Sequence, residues 1–428
     1  MQTSKLAGGA RRRCLVPSAP RRPWPWAATL VMFGLPLLGW ATDWPQLLGP
    51  DRNGVYSGGD LAEQWPSGGP PKVWEKKIGN GFSNPVVAKR RLILFHRVRN
   101  DEVVDAFDGE SGKAVWSYKY PTAYHDDFGF DPGPRASPVI SAGKVYTFGA
   151  EGMLTCLDFE SGKKIWSVST KDDFNVRKGF FGAASTPLLQ GGRLFLNVGG
   201  EKAGIIALDK DTGKLLWTST ADEASYSSPV AAKLGGKDYI LFFTRNGLVA
   251  VDPNTGKVGL EQTWRSRSHA SVNAAVPLVV GNEIFLSASY GTGAVLFRLD
   301  GSTLMRIWSS DDALSNHYAT NVYLDGYLYG FHGRQEYTQS FRCIELKSGK
   351  VLWDEAGFGA GTVTLAGDRL LILRENGELV LARASPEKFV PGPRAKVLTG
   401  VVRAYPAIAD GMLYARSEDT LVCVRLKK

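Results

Sequence analysis

The sequence predicts an all-β protein, an eight-bladed β-propeller of four-stranded antiparallel blades. Three observations predict it: a phrase that recurs along the chain, tryptophans at nearly constant intervals, and an N-terminal strand that supplies what the C-terminal unit lacks. The chain also contains 49 glycines, and no long segment has the apolar period of an amphipathic helix. Short strands joined by many turns are therefore expected.

The recurring phrase joins an acidic residue, a turn that ends in Gly-Lys, and a tryptophan. Its first copy runs Ala106-Phe-Asp-Gly-Glu-Ser-Gly-Lys-Ala-Val-Trp116, and close copies end at Trp166, Trp217 and Trp353. The glycine permits a tight turn between two strands, which places the tryptophan on the outermost strand of its unit. We expect this tryptophan to wedge between neighbouring blades.

Tryptophans mark the repeat at intervals of 42 to 51 residues, as four-stranded propeller blades require. The sequence predicts the same docking role for Trp74, Trp116, Trp166, Trp217, Trp264, Trp308 and Trp353. A further unit from Tyr405 to the C-terminus stops after its third strand, whereas Lys72-Val-Trp74 has no blade before it. We expect the strand at Trp74 to complete the eighth blade and close the ring, which removes an exposed sheet edge.

Residues 1–41 predict a signal peptide. They hold six basic and no acidic side chains, an apolar run from Ala27 to Ala41, and an expected cleavage site after Ala41. An uncleaved membrane anchor is the alternative, although about 15 apolar residues fall short of the roughly 20 that span a bilayer. The predicted regions are a signal peptide (1–41), a lead-in segment (42–71) and the propeller (72–428). We expect a periplasmic or secreted protein, or an N-terminally anchored one if the signal is retained.

Most of the formal charge of +9 belongs to this signal. Removal of its six basic residues leaves 45 basic against 42 acidic side chains. That balance is too weakly positive for nucleic-acid binding, which relies on a dense basic surface. Once the signal is cleaved, a monomer without a membrane span is expected.

The repeated Leu-Asp-x-x-Thr-Gly-Lys-x-x-Trp phrase is similar to the tryptophan-docking repeats of pyrroloquinoline quinone (PQQ) propellers, over roughly residues 72–428. The opening Trp44-Pro-Gln-Leu-Leu-Gly-Pro-Asp-Arg-Asn-Gly-Val55 also resembles the lead-in of exported bacterial PQQ-like repeat proteins. The resemblance implies one of two branches. One contains the quinoprotein alcohol dehydrogenases, and the other is the non-enzymatic, eight-bladed BamB-like branch.

The cysteines argue against the dehydrogenase branch. The resemblance implies a disulfide between adjacent cysteines beneath PQQ, but Cys14, Cys156, Cys343 and Cys423 are never adjacent, and no Cys-x-x-Cys-His is present for a haem. The three cysteines beyond the signal stand where other blades carry alanine. We therefore expect small buried residues in separate blades, without a disulfide.

A candidate ligand site is predicted on one face of the ring. Strand direction alternates in each blade, so the loops between blades share a face with those between second and third strands. All five histidines fall on this histidine-rich face, and its loops over 117–135 and 167–184 are longer than a turn needs. The predicted ligand-binding residues are His125, Asp126, Asp127, Arg135, Phe181, Tyr226, Arg245, Arg265, His269, Asn273, Tyr290, His317, Tyr318, His332, Arg334 and Glu336.

No catalytic residue is assigned to these side chains. His125, Asp126 and Asp127 with Asp131 could hold a cation, but they lack a fixed ligand spacing, and a solvated turn is expected instead of a metal site. A serine hydrolase has no support because the Gly-x-Ser-x-Gly elbow is absent.

Two functions remain. We favour an exported, non-catalytic binding or scaffold propeller that takes a protein partner, a small ligand or a glycan at the histidine-rich face and needs no cofactor. The alternative is a PQQ-dependent alcohol or sugar dehydrogenase with a divergent site, in which Ca²⁺ would polarise the quinone.

Overall fold

The structure is a computed structural model that describes residues 42–59, 61–268, 272–337 and 339–427. The predicted signal peptide lies outside the described residues.

Two strands, β1 (Val55–Tyr56) and β2 (Lys72–Lys77), precede the first blade. The first four blades are β3–β6 (Val86–Ala88, Arg91–Val98, Asp101–Asp108, Ala114–Pro121), β7–β10 (Val139–Ser141, Lys144–Phe148, Met153–Asp158, Lys164–Ser169), β11–β14 (Leu188–Gln190, Arg193–Gly200, Ala203–Asp209, Leu215–Ser219) and β15–β18 (Val230–Leu234, Lys237–Phe243, Gly247–Val251, Val258–Thr263).

Four more blades complete the predicted eight. They are β19–β22 (Leu278–Val280, Glu283–Ala288, Gly293–Asp300, Thr303–Ser310), β23–β26 (Val322–Leu324, Tyr327–His332, Ser340–Glu345, Val351–Glu355), β27–β30 (Gly361–Ala366, Arg369–Arg374, Glu378–Arg383, Val390–Lys396) and β31–β33 (Ala407–Ala409, Met412–Arg416, Thr420–Arg425) with β2. All pairings within the blades are antiparallel, which confirms the predicted fold class.

The hydrophobic core lies between the blades. The second strand of the first blade, β4, carries the run Leu92-Ile-Leu-Phe95, which is buried on both faces of the sheet. The outer strand β6 instead alternates exposed and half-buried residues along Ala114–Pro121. Inner strands are covered by neighbouring blades on both sides and read as continuous apolar runs, whereas an outer strand has one face in solvent.

The tryptophans of the repeated phrase join each blade to the next. The indole N–H of Trp116 donates to the Phe159 carbonyl at 3.0 Å, and the ring packs on Gly162, where an added Cβ would lie 2.5 Å from a ring atom. The equivalent indole bonds run from Trp74 to Gly109, Trp166 to Lys210, Trp217 to Pro253, Trp308 to Leu346 and Trp353 to Ser385.

Trp264 lies outside the register of this series, although its indole also reaches the next blade. The phrase places the docking residue four positions after its glycine, which in the fourth blade is Leu260 after Gly256. Leu260 pairs with Ala250, just as Trp116 pairs with Ala106. Trp264 follows the end of β18 and donates to the Gly293 carbonyl at 3.2 Å.

The eighth blade takes its outer strand from the N-terminal side of the chain. β2 pairs antiparallel with β33, and Trp74 lies opposite Cys423 in the register. Each of the cysteines Cys156, Cys343 and Cys423 is a buried free thiol, in the second, sixth and eighth blades. Their predicted separation and lack of a disulfide agree with this arrangement.

The lead-in segment crosses one end of the ring, which the sequence did not predict. Trp44 pairs with Val87 of the first blade, the Pro45 carbonyl accepts from Ile140 of the second, and β1 runs parallel to β27 of the seventh. The Asp43 carboxylate accepts from the Lys89 N–H at 2.9 Å, in the turn after β3. The segment therefore closes the central channel from the side opposite the loops between blades.

Helix is nearly absent from the described part of the chain. The helix α1 (Thr170–Phe174) follows β10, and its N-cap Ser169 accepts from the Asp172 N–H. No helix among the described residues is long and apolar enough to cross a membrane.

Candidate functional site: a central aromatic pocket

A cavity of about 420 Å³ opens on the axis of the propeller, on the face that carries the loops between blades. Its floor consists of Leu47 from the lead-in segment and of residues that precede the inner strands of several blades. Its walls come from the loops between blades and from loops between second and third strands, and they are rich in aromatic and arginine side chains. We call this cavity the central pocket.

The floor is held by hydrogen bonds that pass from blade to blade. Asn84 accepts from the Tyr405 N–H and donates to the Ser137 hydroxyl at 2.7 Å. The Ser137 N–H donates to the Thr186 hydroxyl, and the Thr186 N–H donates to the Ser228 hydroxyl at 2.9 Å. On the far side, the Thr320 hydroxyl accepts from the Val276 N–H, and Tyr405 accepts from the Thr320 N–H. The side chains that border the pocket therefore also tie the ring together.

Arginines and aromatic rings alternate along one wall. The Arg135 guanidinium lies 5.8 Å from the Phe82 ring and 5.4 Å from that of Phe181. Arg403 lies 5.4 Å from Phe82 and 5.5 Å from Phe130. A guanidinium over a ring face is attracted by the π electrons, and the stacking also fixes its orientation. The wall is thus ordered before any ligand arrives.

Each of these wall arginines also has a carboxylate partner. Arg135 pairs with Asp126 at 3.1 Å, and Arg403 pairs with Glu375. On the opposite side of the pocket, Arg334 pairs with Glu336 at 3.0 Å. The wall therefore carries little net charge, and its character is mainly aromatic.

Two phenylalanines stand exposed at the mouth of the pocket. Phe128 is 52% exposed and Phe130 is 49% exposed, and Phe128 lies 5.2 Å from the Phe181 ring. The loop between them is fixed by Asp126, whose carboxylate accepts from the N–H groups of Phe128, Phe130 and Asp131. Burial raises the pKa of Asp126, but these N–H donors and the Arg135 guanidinium together lower it by more. The pKa therefore lies below its ordinary value. An ionised, buried carboxylate thus holds the loop that presents both rings.

Tyr290 and His317 form a second wall. The Tyr290 hydroxyl and His317 Nε2 are 2.9 Å apart, while Nδ1 of the same ring contacts the Gln335 amide oxygen. An amide oxygen only accepts, so Nδ1 carries the proton and Nε2 accepts from Tyr290. Burial lowers the pKa of His317 and favours this neutral form. The Arg334 guanidinium covers the Tyr290 ring at 4.3 Å.

The structure brings eight of the sixteen predicted ligand-binding residues to the central pocket. They are Arg135, Phe181, Tyr226, Tyr290, His317, Tyr318, Arg334 and Glu336. Asp126 supports the wall through Arg135. Tyr226 accepts from the Phe181 N–H at 2.9 Å and also borders a more polar groove of about 710 Å³ between the second and third blades. His125, Asp127 and Arg245 line that groove and not the central pocket.

The remaining predicted residues lie elsewhere. Asn273 is buried and donates to the Thr244 carbonyl, and His332 accepts from the Ser315 N–H at 3.1 Å. Arg265 is exposed and donates to the Asn246 side chain. His269 lies outside the described residues. Of the described histidines, only His317 lines the central pocket, so aromatic rings and arginines characterise this site better than histidine does.

Sequence reasoning missed several residues of the pocket. They are Leu47, Phe82, Phe128, Phe130, Gln335, Arg403 and Tyr405. A signal was present for Phe128 and Phe130, because exposed aromatic residues between aspartates in a long loop are unusual in a connection without a binding role. Arg403 and Leu47 gave no such signal, since they enter the site from segments distant in sequence.

The residues present do not fit a calcium-bound PQQ. The carboxylate pair considered for the cation, Asp126 and Asp127, is already engaged: Asp126 by three N–H groups and Arg135, Asp127 by Lys178 at 2.7 Å. Among the described residues, no group of three or more His, Cys, Asp or Glu side chains is placed to hold a metal ion.

Comparisons with known proteins identify relatives of the same architecture. The outer membrane protein assembly factor BamB of Yersinia pestis is 22% identical over 288 residues, which are 62% of this chain and 69% of the relative. The crystal structure of BamB from Moraxella catarrhalis has a TM-score of 0.60 at 16% identity and covers 83% of this chain and 97% of that one. The crystal structure of quinohemoprotein alcohol dehydrogenase from Comamonas testosteroni has a TM-score of 0.66 at 14% identity. It covers 90% of this chain and 80% of that one.

These structural likenesses show a shared propeller fold and nothing more about chemistry. The sequence match is more specific. A family model described as outer membrane protein assembly factor BamB matches residues 100–355, which is more than half of the chain. The chain therefore belongs to this BamB family of PQQ-like repeat propellers.

Proposed function

We propose that this protein is an exported binding propeller that holds an extended, apolar or aromatic segment of a protein partner in the central pocket. The observation that carries the proposal is the pair Phe128 and Phe130, about half exposed on a loop that Asp126 fixes through three N–H groups. Exposing two large rings costs solvation free energy, and a rigid loop prevents them from folding inward. A partner that covers them would recover that free energy without first ordering the loop.

Further support comes from the shape and composition of the pocket. Its volume of about 420 Å³ is in the range of ligand sites, and its aromatic walls suit stacking and apolar burial. The named function of the BamB relatives, assembly of outer membrane proteins, makes a protein segment a more plausible occupant than a glycan. Export is proposed from the basic and apolar pattern of residues 1–41.

Site-specific photo-crosslinking tests the proposal. A benzophenone amino acid replaces Phe128 in the full-length protein, and irradiation in the exporting cells is followed by mass spectrometry of the linked peptides. The matched control carries the same group at Ile165, an exposed apolar residue on the outer strand of the second blade. We expect Phe128 adducts that map to defined apolar segments of a partner, and none of these at Ile165. Identical adducts at both positions, or none at Phe128, would contradict the proposal.

A further inference from the structure

The floor of the central pocket is built from hydroxyl groups. Ser137, Thr186, Ser228 and Thr320 all line the cavity, and each is almost fully buried. Each of these four hydroxyl oxygens accepts a hydrogen bond from a neighbouring blade. None of them donates its own O–H to another described residue. A hydroxyl can donate one hydrogen bond, and these four hydroxyls can donate theirs to a ligand in the pocket.

A buried cation lies beside this floor. Arg52, in the lead-in segment, is 4% exposed and donates to the backbone carbonyls of Thr186, Pro187 and Pro229 and to the Gln46 amide oxygen. In the described chain no carboxylate pairs with it, in contrast to the wall arginines Arg135, Arg334 and Arg403. Burial lowers the pKa of Arg52 to about 9, as expected of a cation without a compensating charge. The net positive charge around the pocket therefore sits at its base.

The pocket is closed at its floor. Leu47 forms part of the floor, and the lead-in segment that carries it is joined to the first, second and seventh blades. A segment from the middle of a partner chain would have to enter and turn back within about 420 Å³. The end of a chain needs no such turn, and it brings a charged group with it.

We propose that the floor of the central pocket binds a carboxylate, and that this carboxylate is the C-terminus of the partner segment, with an apolar or aromatic last side chain against the walls. The four hydroxyls would donate to the carboxylate oxygens. Arg52, which is bonded to backbone carbonyls beside the floor, would supply the opposite charge. This inference rests on the proposed function in taking a protein segment as the ligand. A small aromatic carboxylate would satisfy the same chemistry.

Three probes separate these sources. The first is an equimolar pool of acetylated hexapeptides, Gly-Ser-Gly-Ser-x-x, in which x is Phe, Tyr, Trp, Leu, Ile or Val and the C-terminus is a free acid. The second is the same pool as C-terminal amides, and the third is N-acetylphenylalanine. Binding to the mature protein is measured by affinity selection with mass spectrometry, and the best peptide is then titrated calorimetrically as acid and as amide.

We expect the acid to bind about 10- to 100-fold more tightly than its amide, the usual effect of hydrogen bonds to a charged group. Thr186→Val should weaken binding of the acid about 10-fold and binding of the amide by less, because a hydrogen bond to a charged oxygen is stronger than one to a neutral oxygen. Thr186→Ser, which keeps the hydroxyl, should bind like the wild type. Thr186→Val tests the floor only if its thermal midpoint shows that the protein is folded. If it is not folded, Ser228→Ala, which removes another floor hydroxyl, replaces it with the same expected result.

Equal binding of acid and amide would overturn the carboxylate floor while leaving the proposed function intact. Binding of N-acetylphenylalanine with no binding of either pool would support the carboxylate floor but assign it to a small molecule, against the proposed function. Failure of all three probes would overturn the inference.

Discussion

Tyr405, which leads into the last blade, donates its backbone N–H to the Asn84 side-chain oxygen of the first blade at 2.6 Å. The Asn84 amide nitrogen then donates to the Ser137 hydroxyl of the second blade at 2.7 Å. One buried side chain therefore connects three blades at the floor of the central pocket. The closure of the ring and the shape of the site depend on the same contact.

Replacement of Asn84 should destabilise the whole propeller. Asn84→Ala leaves the Tyr405 N–H and the Ser137 hydroxyl without their partners in a buried position. We expect a loss of about 1–3 kcal/mol in the free energy of unfolding for each group left unsatisfied. Urea unfolding followed by tryptophan fluorescence measures it. Asn254→Ala, in an exposed turn of the fourth blade, is the control, and an equal effect of both substitutions would contradict the role of Asn84.

The packing of tryptophan on turn glycine can be isolated with two glycines of the second blade. Both have left-handed backbones, Gly162 at φ +69° and Gly143 at φ +74°. An added Cβ would lie 2.5 Å from the Trp116 ring at Gly162, but would meet nothing within 4 Å at Gly143. Gly143→Ala should cost only the backbone strain, about 1–2 kcal/mol. Gly162→Ala should cost about 1–3 kcal/mol more, from overpacking. Equal losses of unfolding free energy in the two variants would show that the Trp116 ring moves aside without cost.

The sequence was sufficient for the fold because each blade repeats one local pattern. The turn glycine and the tryptophan four residues later are set by strand geometry, which a repeat displays several times. The interval between tryptophans does not show that Trp264 is out of register, because the distance from Gly256 decides the register. The closure of the channel was missed because Trp44, Leu47 and Arg52 occur once, and no repeat reveals what a single segment contacts.

The pocket was predicted in part for a similar reason. Strand alternation predicts that Arg135, Tyr290 and His317 share one face, since loop direction follows from the order of the strands, and all three line the central pocket. It cannot distinguish residues near the axis from those at the rim, as Arg265 and His332 illustrate. Arg403 and Phe82 meet at 5.4 Å only because the ring brings the last blade against the first.

Loss of the Asp126 charge should loosen the loop that presents Phe128 and Phe130. Asp126→Asn weakens the bonds from three N–H groups and the pair with Arg135, so chymotrypsin should cleave after these phenylalanines faster than in the wild type. Asp127→Asn, which loses only an exposed pair with Lys178, is the matched control. Unchanged cleavage in Asp126→Asn would show that the loop is held by other contacts.

The same substitution has a defined pH dependence. The pKa of Asp126 is lower in the folded protein than the ordinary value of about 3.9, so its ionised form stabilises the fold. That stabilisation is complete above the ordinary value and is lost as the pH falls through the lowered pKa. The difference in unfolding free energy between wild type and Asp126→Asn should therefore be constant from pH 5 to 7 and shrink in more acidic buffers. A difference that grows on acidification would contradict the assignment.

The buried thiols should be unreactive in the native protein. Burial raises the pKa of Cys156, Cys343 and Cys423 to about 12 each, so almost no thiolate is present at neutral pH. We expect no reaction with Ellman's reagent at pH 8 in the chain that begins at residue 42, and three reactive thiols in urea. Rapid labelling without denaturant would indicate that a blade opens locally.

Titration with PQQ and Ca²⁺ distinguishes a binding propeller from a PQQ-dependent dehydrogenase. Because Asp126 is bonded to three N–H groups and Arg135, and Asp127 is paired with Lys178, neither carboxylate is free to bind the cation that a quinone site requires. We expect no saturable change in quinone absorbance and no rise in the thermal midpoint of the chain that begins at residue 42. A one-to-one shift in both signals, followed by dye reduction with alcohols or sugars, would mean that the loop at Asp126 rearranges on binding. The protein would then be a quinoprotein dehydrogenase, and the aromatic pocket would be its substrate site.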